Sequence, residues 1–177
     1  SLCSLVKIKD KPLQVKKDHK FMAIIPAHNE EAVVGNLVES LKKQNYNKDL
    51  YDIYVIADNC TDNTAKVAKE AGAIVYERFN NSKKTKGYAL DWFLQQKIKE
   101  DAPYDAFFIF DADNIVDPDF IKNMNKKLCQ GEDVVQGYRD IKNPTDSWIT
   151  AGYAIFYWTM HRFHHLARYN LGLSPLL

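Results

Sequence analysis

No run of the ~18 apolar residues needed to cross a bilayer occurs in the chain, and no secretory leader opens it. No segment is therefore expected to span a membrane. Cysteine is sparse: Cys3, Cys60 and Cys129 are odd in number and far apart, with neither a CxxC pair nor a zinc pattern. They read as free thiols of a reducing compartment. Net charge is nearly absent, because 24 Lys and Arg face 23 Asp and Glu and leave +1. No overall field draws such a chain onto nucleic acid, so no nucleic-acid partner is expected. Neither G-x-G-x-x-G nor G-x-x-x-x-G-K-[ST] occurs, which removes the dinucleotide fingerprint and the P-loop.

What remains is an ordinary globular composition, 46% hydrophobic and 27% charged. The 177 residues make one domain, or one and part of a second, at roughly 150 residues each. A chain of this length buries roughly 70% of its unfolded surface and needs no staples.

After a Lys-rich lead-in (residues 1–20), expected to be a solvated arm, strand and helix patterns alternate. Phe21–Ile25 is an apolar run of strand length stopped by Pro26. Val34, Leu37, Val38 and Leu41 then recur at helical spacing. Residues 53–57 read as a second strand, and 64–71 as a second helix closed by Gly72. Residues 73–76 follow as a third strand, and Leu90, Phe93, Leu94 and Ile98 mark a third helix. Residues 106–110 form a fully apolar fourth strand. Asp117 as N-cap with Pro118 at N1 starts a fourth helix through Phe120, Met124 and Leu128. Residues 134–139 read as a fifth strand. This alternation predicts an α/β fold, a mostly parallel central sheet with helices on both faces. Ligands of such sheets sit beyond the carboxyl ends of the strands.

Three polar stretches fall at those ends: Pro26-Ala27-His28-Asn29-Glu30-Glu31, Asp58-Asn59-Cys60-Thr61-Asp62-Asn63-Thr64, and Asp111-Ala112-Asp113-Asn114. Asp111 and Asp113 either cap a turn or offer hard oxygen ligands to Mg²⁺ or Mn²⁺, whose shell water and phosphate oxygens would complete. Asp58 is either a turn residue ahead of the second helix or an acceptor for a base edge, since Thr61 or Asp62 could serve as the cap. His28 is either a packed surface histidine or a group at the crevice mouth. Lys84 and Lys86 are solvated charges unless Lys86-Gly87, opening the third helix, meets an anion there.

Taken in order with Lys86-Gly87-Tyr88-Ala89-Leu90, these stretches resemble the motifs of family 2 glycosyltransferases over roughly residues 20–140. The resemblance implies the GT-A (Rossmann-like) fold and an inverting transfer from a nucleoside-diphosphate sugar, commonly a UDP-sugar, to an acceptor hydroxyl on a saccharide, lipid or other molecule. It implies that Pro26, Ala27, His28 and Glu30 line the nucleoside pocket, that Asp58 binds the base imide, and that Lys86 lies near the nucleotide. Asp113, assisted by Asp111, would ligate Mg or Mn on the diphosphate and so act catalytically through the metal. The chain departs from the pattern where Ala57 replaces a second acid beside Asp58, and where Cys60 and Asn63 replace the commoner Ser and Gly.

The family's general base lies well downstream of Asp-x-Asp, whereas the last acid here is Asp146. The chain is therefore expected to be the donor-binding part of a longer enzyme, with residues 21–114 as the donor half and 115–177 as the beginning of the acceptor side. Trp148–Met160 is uncharged and aromatic-rich, and basic residues follow it. It reads either as a helix packed under the acceptor half or, over 148–169, as an interfacial helix on a bilayer. The family's spanning helices imply a membrane-bound full-length protein with this part on the cytoplasmic side. Two other classes fit parts of the pattern. One is a non-catalytic nucleotide-sugar binding module; the other is a haloacid-dehalogenase-like phosphatase with Asp111 as nucleophile, which would need an acidic pair downstream.

Overall fold

Phe21–Ala27 contains no charged or hydrogen-bonding side chain, and such a strand is stable only where both of its faces are covered. The computed structural model, which describes Val15, residues 17–138, Asp140 and residues 145–160, places it there. The elements are β1 (Phe21–Ala27), α1 (Val34–Lys42), β2 (Tyr51–Asp58), α2 (Thr64–Ala71), β3 (Ile74–Arg78), α3 (Lys86–Lys99), β4 (Ala106–Ile109), α4 (Phe120–Cys129) and α5 (Trp148–Thr159). The first eight belong to one compact unit, Val15–Gly131; α5 belongs to a second.

All pairings are parallel and the strand order is β3-β2-β1-β4. The chain steps outward from β1 to β3, then returns to the far side of β1 for β4. Right-handed crossovers therefore put α1 and α2 on one face and α3 on the other. The core divides accordingly. Val34, Leu37, Val38 and Leu41 of α1 join Ala68 of α2 and Ile121 of α4 on one side. Ala89 and Phe93 of α3 cover Met22, Ile24, Tyr54 and Ile56 on the other. The direction of travel reverses between β1 and β4, so the loops leaving them diverge there.

Several local expectations are corrected. Pro26 does not stop β1. The Ile24 carbonyl accepts from Phe110 N–H on the β4 side, at 3.0 Å. Alternation along the strand points the missing Pro26 N–H to that same side, where the β4 ladder has already ended at Ile24↔Ile109. The fourth strand is apolar but not covered: β4 lies at the sheet edge, and Phe107 and Ile109 are exposed. On α3 the fully buried ridge is Ala89–Phe93–Lys97, whereas Ile98 is 70% exposed. The Lys97 ammonium donates to Tyr76 Oη and Glu100 Oε2, each at 2.8 Å, and lies over the rings of Tyr54, Tyr76 and Phe93. Its aliphatic stem thus fills an apolar position.

The fourth helix begins at Phe120 rather than at Pro118, although Asp117 Oδ1 still accepts from Asp119 N–H at 2.8 Å. Residues 134–138 form no strand, since no described segment pairs with them, and Arg139 lies outside the described residues. The end of the lead-in is not a free arm. Asn125, buried in α4, takes His19 N–H at 3.2 Å and donates to the Lys17 carbonyl at 3.2 Å. Its earlier residues and Cys3 lie outside the described set, as do 161–169 of the tail. Gly72 closes α2 as expected, in the left-handed region at φ 102°.

In the second unit, Ser147 and Thr150 cap α5 reciprocally: each hydroxyl accepts the other's backbone N–H, at 3.2 and 3.0 Å. Trp148, Ile149, Tyr153, Ile155 and Phe156 of α5 are exposed. Among the described residues, no helix is long and apolar enough to cross a membrane.

Phe93 is the only large α3 side chain with no exposure. Phe93→Ala is expected to lower unfolding free energy by about 3–5 kcal/mol, measured by urea denaturation. A loss under about 1 kcal/mol would mean that α3 does not cover this face.

Candidate functional site

The parallel register brings the carboxyl ends of β1, β2 and β4 to one edge of the sheet, so all three polar stretches leave from that edge. The first two are stitched together. Asn29 and Asn59 both turn the chain in the left-handed region, at φ 55° and 52°, where Asn is better tolerated than most residues. Asn29 Oδ1 accepts Thr61 N–H at 2.8 Å, and Thr64 Oγ1 accepts Glu30 N–H at 2.8 Å. Asp62 takes Glu31 N–H at 3.2 Å and Thr64 N–H at 3.0 Å, while Glu31 Oε2 takes Asn63 N–H at 2.8 Å. The N-cap of α2 is Asn63, which makes no side-chain cap bond, rather than Thr61 or Asp62; Asp62 takes the N–H of the first helical residue, and Asp58 is left for another partner.

That partner is Arg78, the last residue of β3. Asp58 is only 5% exposed, and its Oδ1 accepts from Arg78 Nη1 at 2.5 Å and from Asn59 Nδ2 at 3.1 Å. Arg78 Nη2 reaches on to the Lys83 carbonyl at 2.9 Å, so one buried guanidinium ties the β2 end to the loop after β3. Above this pair, His28 Nδ1 lies 2.7 Å from the Asp58 carbonyl oxygen. A carbonyl only accepts, so the proton is on Nδ1 and Nε2 is left as the ring's other functional nitrogen. Cys60 Sγ contacts the Ala27 carbonyl and Asn29 N–H, each at 3.5 Å, and burial pushes its thiol pKa up. A cleft of about 450 Å³ opens here, lined by His28, Asn29, Asn59, Cys60, Phe79 and Lys84 among others.

Toward β4, Lys86 begins α3 and its ammonium forms an ion pair with Asp111. Asn114 folds the following turn, donating N–H to the Asp111 carbonyl at 3.0 Å and Nδ2 to Asp113 Oδ1 at 3.2 Å. The turn is anchored to α1: Ser40 Oγ accepts Val116 N–H at 3.1 Å, and buried Gln44 bridges the Asp117 carbonyl and Ile121 N–H at 2.7 and 3.0 Å.

The structure thus joins His28 to Asp58 and Lys86 to Asp111. Asp113 is exposed beside that second pair. Pro26 and Ala27 end β1, where the Ala27 carbonyl meets Cys60 Sγ of the cleft lining, and Glu30 contributes its backbone N–H to the stitch. Among the described residues, no cluster of three or more His, Cys, Asp or Glu could cage a metal. Sequence reasoning missed Arg78. The available signal was the one cation of the third strand, at its carboxyl end and so on the same edge as Asp58. A larger depression of about 660 Å³, bordered by Lys17, Asn45 and Lys126, lies toward the amino ends of the strands, away from these groups.

This parallel sheet, with its switch point beside an Asp-x-Asp turn and a basic helix start, has the GT-A fold of the solved glycosyltransferases it resembles. The profile of glycosyl transferase family 2 matches residues 22–175, and the chain belongs to that family. It is 32% identical over 129 residues to an uncharacterized protein of Methanocaldococcus jannaschii, covering 71% of this chain and 49% of that one. Identity to protein RfbJ of Shigella flexneri is 30% over 117 residues, covering 66% of this chain and 82% of RfbJ. Among solved structures it resembles the mannosyltransferase PcManGT of Pyrobaculum calidifontis, with TM-score 0.60, 18% identity, and coverage of 83% and 42%. Glucosyl-3-phosphoglycerate synthase of Mycobacterium tuberculosis gives TM-score 0.53, 26% identity, and coverage of 67% and 43%. The chain spans about half the length of the Methanocaldococcus relative and less than half of either structure. Membership sets the phosphatase reading of Asp111 aside.

Two outcomes follow from this geometry. Arg78→Met strands a buried carboxylate and is expected to cost about 3–5 kcal/mol in urea denaturation. The double variant Asp58→Asn/Arg78→Met should regain most of that loss, and failure to do so would mean the guanidinium acts mainly through Lys83. Although partial burial opposes it, hydrogen bonds from Thr64 and Glu31 hold the Asp62 carboxyl below its ordinary 3.8. Its contribution is therefore present above pH 3.8 and lost as pH falls through the lowered folded value. Thermal unfolding of Asp62→Asn should fall less steeply than that of the parent over this acid range; parallel profiles would remove Asp62 from the acid response.

Proposed function

We propose that this chain forms the donor-binding part of a transferase that moves a sugar from a nucleoside diphosphate, a UDP-sugar, to an acceptor hydroxyl with inversion. The observation that carries the reading is the placement of two distinct half-sites along one sheet edge: a cleft roofed by His28 over buried Asp58, and a charged turn containing Lys86, Asp111 and Asp113. The first suits a planar base and its ribose, and the second a diphosphate. Structures of similar fold were solved with GDP-Man and Mn²⁺ and with UDP-GlcNAc, which supports a nucleotide-sugar ligand.

In the transfer, the acceptor oxygen attacks the anomeric carbon as the bond to the diphosphate oxygen breaks. The nucleoside diphosphate leaves with the bonding pair, and the acceptor proton passes to a carboxylate that this chain does not assign. Asp58 would accept from the base imide, and His28 would close the pocket, with Pro26, Ala27 and Glu30 shaping its floor. Lys86 would place a positive charge on the diphosphate. Asp111 and Asp113 supply hard oxygens, the donor type that Mg²⁺ or Mn²⁺ takes, and their short spacing leaves the remaining positions to water and phosphate. When bound, the ion would offset charge developing on the departing diphosphate.

On this reading, residues 21–114 are the donor half and 115–177 begin the acceptor side, facing a saccharide, lipid or other hydroxyl. The full-length enzyme would be membrane-bound with this part on the cytoplasmic side. The exposed aromatic residues of α5 support contact between 148–169 and the bilayer surface.

Calorimetric titration of UDP, with and without Mn²⁺, tests the charged half-site. In the parent, Mn²⁺ is expected to tighten UDP by about tenfold, roughly 1.4 kcal/mol. Asp113→Ala should abolish that gain, and its exposed position protects the fold. Equal, metal-independent affinities in both proteins would overturn the assignment of Asp113.

A further inference from the structure

Phe79 is the one large apolar side chain on a cleft otherwise lined by polar groups and Cys60, and it is 71% exposed. Its backbone, by contrast, is clamped on both sides. The Arg78 carbonyl accepts Asn59 N–H at 2.7 Å, and Asn80 N–H donates to Asn59 Oδ1 at 2.8 Å. Beneath it the Arg78 guanidinium is locked between Asp58 and the Lys83 carbonyl. Beyond it Asn80 Oδ1 gathers Ser82 N–H and Lys83 N–H, each at 3.0 Å, into a closed turn. The neighbours of Phe79 are thus held by six hydrogen bonds to named partners, while none of the described rings packs on its own ring.

A ring presented to water on a fixed backbone gains nothing from folding, because its apolar area stays hydrated. It becomes favourable when a flat, weakly hydrated surface covers it. A nucleobase is such a surface, and stacking on an aromatic side chain is among the larger base contacts that do not depend on which base is present. Asp58 lies next to the same cleft, joined to its lining residues His28 and Asn59 by hydrogen bonds.

We infer that Phe79 is the stacking platform for the heterocycle of the nucleotide, so that the face of the base is held by Phe79 while Asp58 addresses its edge. This rests on the proposed nucleotide-binding function and adds a positioning residue to it. Because every base has a π-face, Phe79 supplies affinity without selecting uracil over guanine. Because it meets the base and not the diphosphate, its contribution is independent of the metal.

The test uses the 177-residue chain with UDP, GDP and the bare nucleoside uridine, titrated calorimetrically without metal and then with Mn²⁺. Phe79→Leu is expected to weaken UDP and GDP by similar factors, on the order of tenfold, whether or not Mn²⁺ is present. Phe79→Tyr should bind within about twofold of the parent, since the aromatic face remains. Proton NMR gives a second readout that a merely structural role would not move: uridine H5 and H6 should shift upfield on binding to the parent and not to Phe79→Leu. If the parent binds UDP while Phe79→Leu binds it equally well with the same ring shifts, the stacking role is overturned and the nucleotide reading stands. If the parent binds no nucleotide under either condition, both fall together.

Discussion

The place of β1 between two parallel neighbours is the constraint on which the rest depends. Its ladder to β2 runs its whole length, whereas its ladder to β4 stops at Ile24. That unequal pairing lets Pro26 sit in the strand, and it opens space at the carboxyl end on the β4 side. The cleft lies on the other side of β1, where the loops after β1, β2 and β3 line it. Four of the groups considered for function then follow from chain direction: His28 leaves β1, Asp58 ends β2, Arg78 ends β3 and Asp111 follows β4.

Two ion pairs occupy that edge, and their burial gives them different parts to play. Asp58–Arg78 is almost wholly enclosed, with side chains 7% and 5% exposed, so removing one member leaves a charge that water cannot reach. Lys86–Asp111 has both side chains nearly half exposed. Pairs of that kind contribute about 0–1 kcal/mol, so a ligand could re-partner them at little cost. The buried pair suits a fixed frame for the cleft. The exposed pair suits a site that must exchange partners as a diphosphate arrives and leaves.

The architecture was legible because its signals were local: Val34, Leu37, Val38 and Leu41 repeat at helical spacing, and all four are fully buried. The three loops were legible because each follows an apolar run in a parallel sheet. What failed depended on partners distant in sequence. Residues 134–138 have the composition of a strand but no described ladder to join, and composition does not reveal pairing. Ile98 fits the apolar stripe of α3, yet the helix rolls so that Lys97 faces Tyr54 and Tyr76, a choice made by those rings and not by α3. Arg78 escaped notice because its meaning comes from Asp58, twenty residues earlier and one strand away.

The frame around Asp58 also bears on which base the cleft could take. Arg78 and Asn59 both donate to Oδ1, which leaves Oδ2 as the oxygen facing fewer competitors. A carboxylate can accept from the imide N–H of uracil and equally from the N1–H of guanine, so Asp58 alone does not separate them. Stacking does not separate them either. On the proposed reading, discrimination would come from the space around the base, and Phe79, Asn81 and Lys84 line one side of that cleft. Arg78 Nη2, bound to the Lys83 carbonyl, fixes that side from below. The guanidinium that neutralises Asp58 would therefore also set the width of the slot, coupling the charge that reads the base edge to the shape that admits the base.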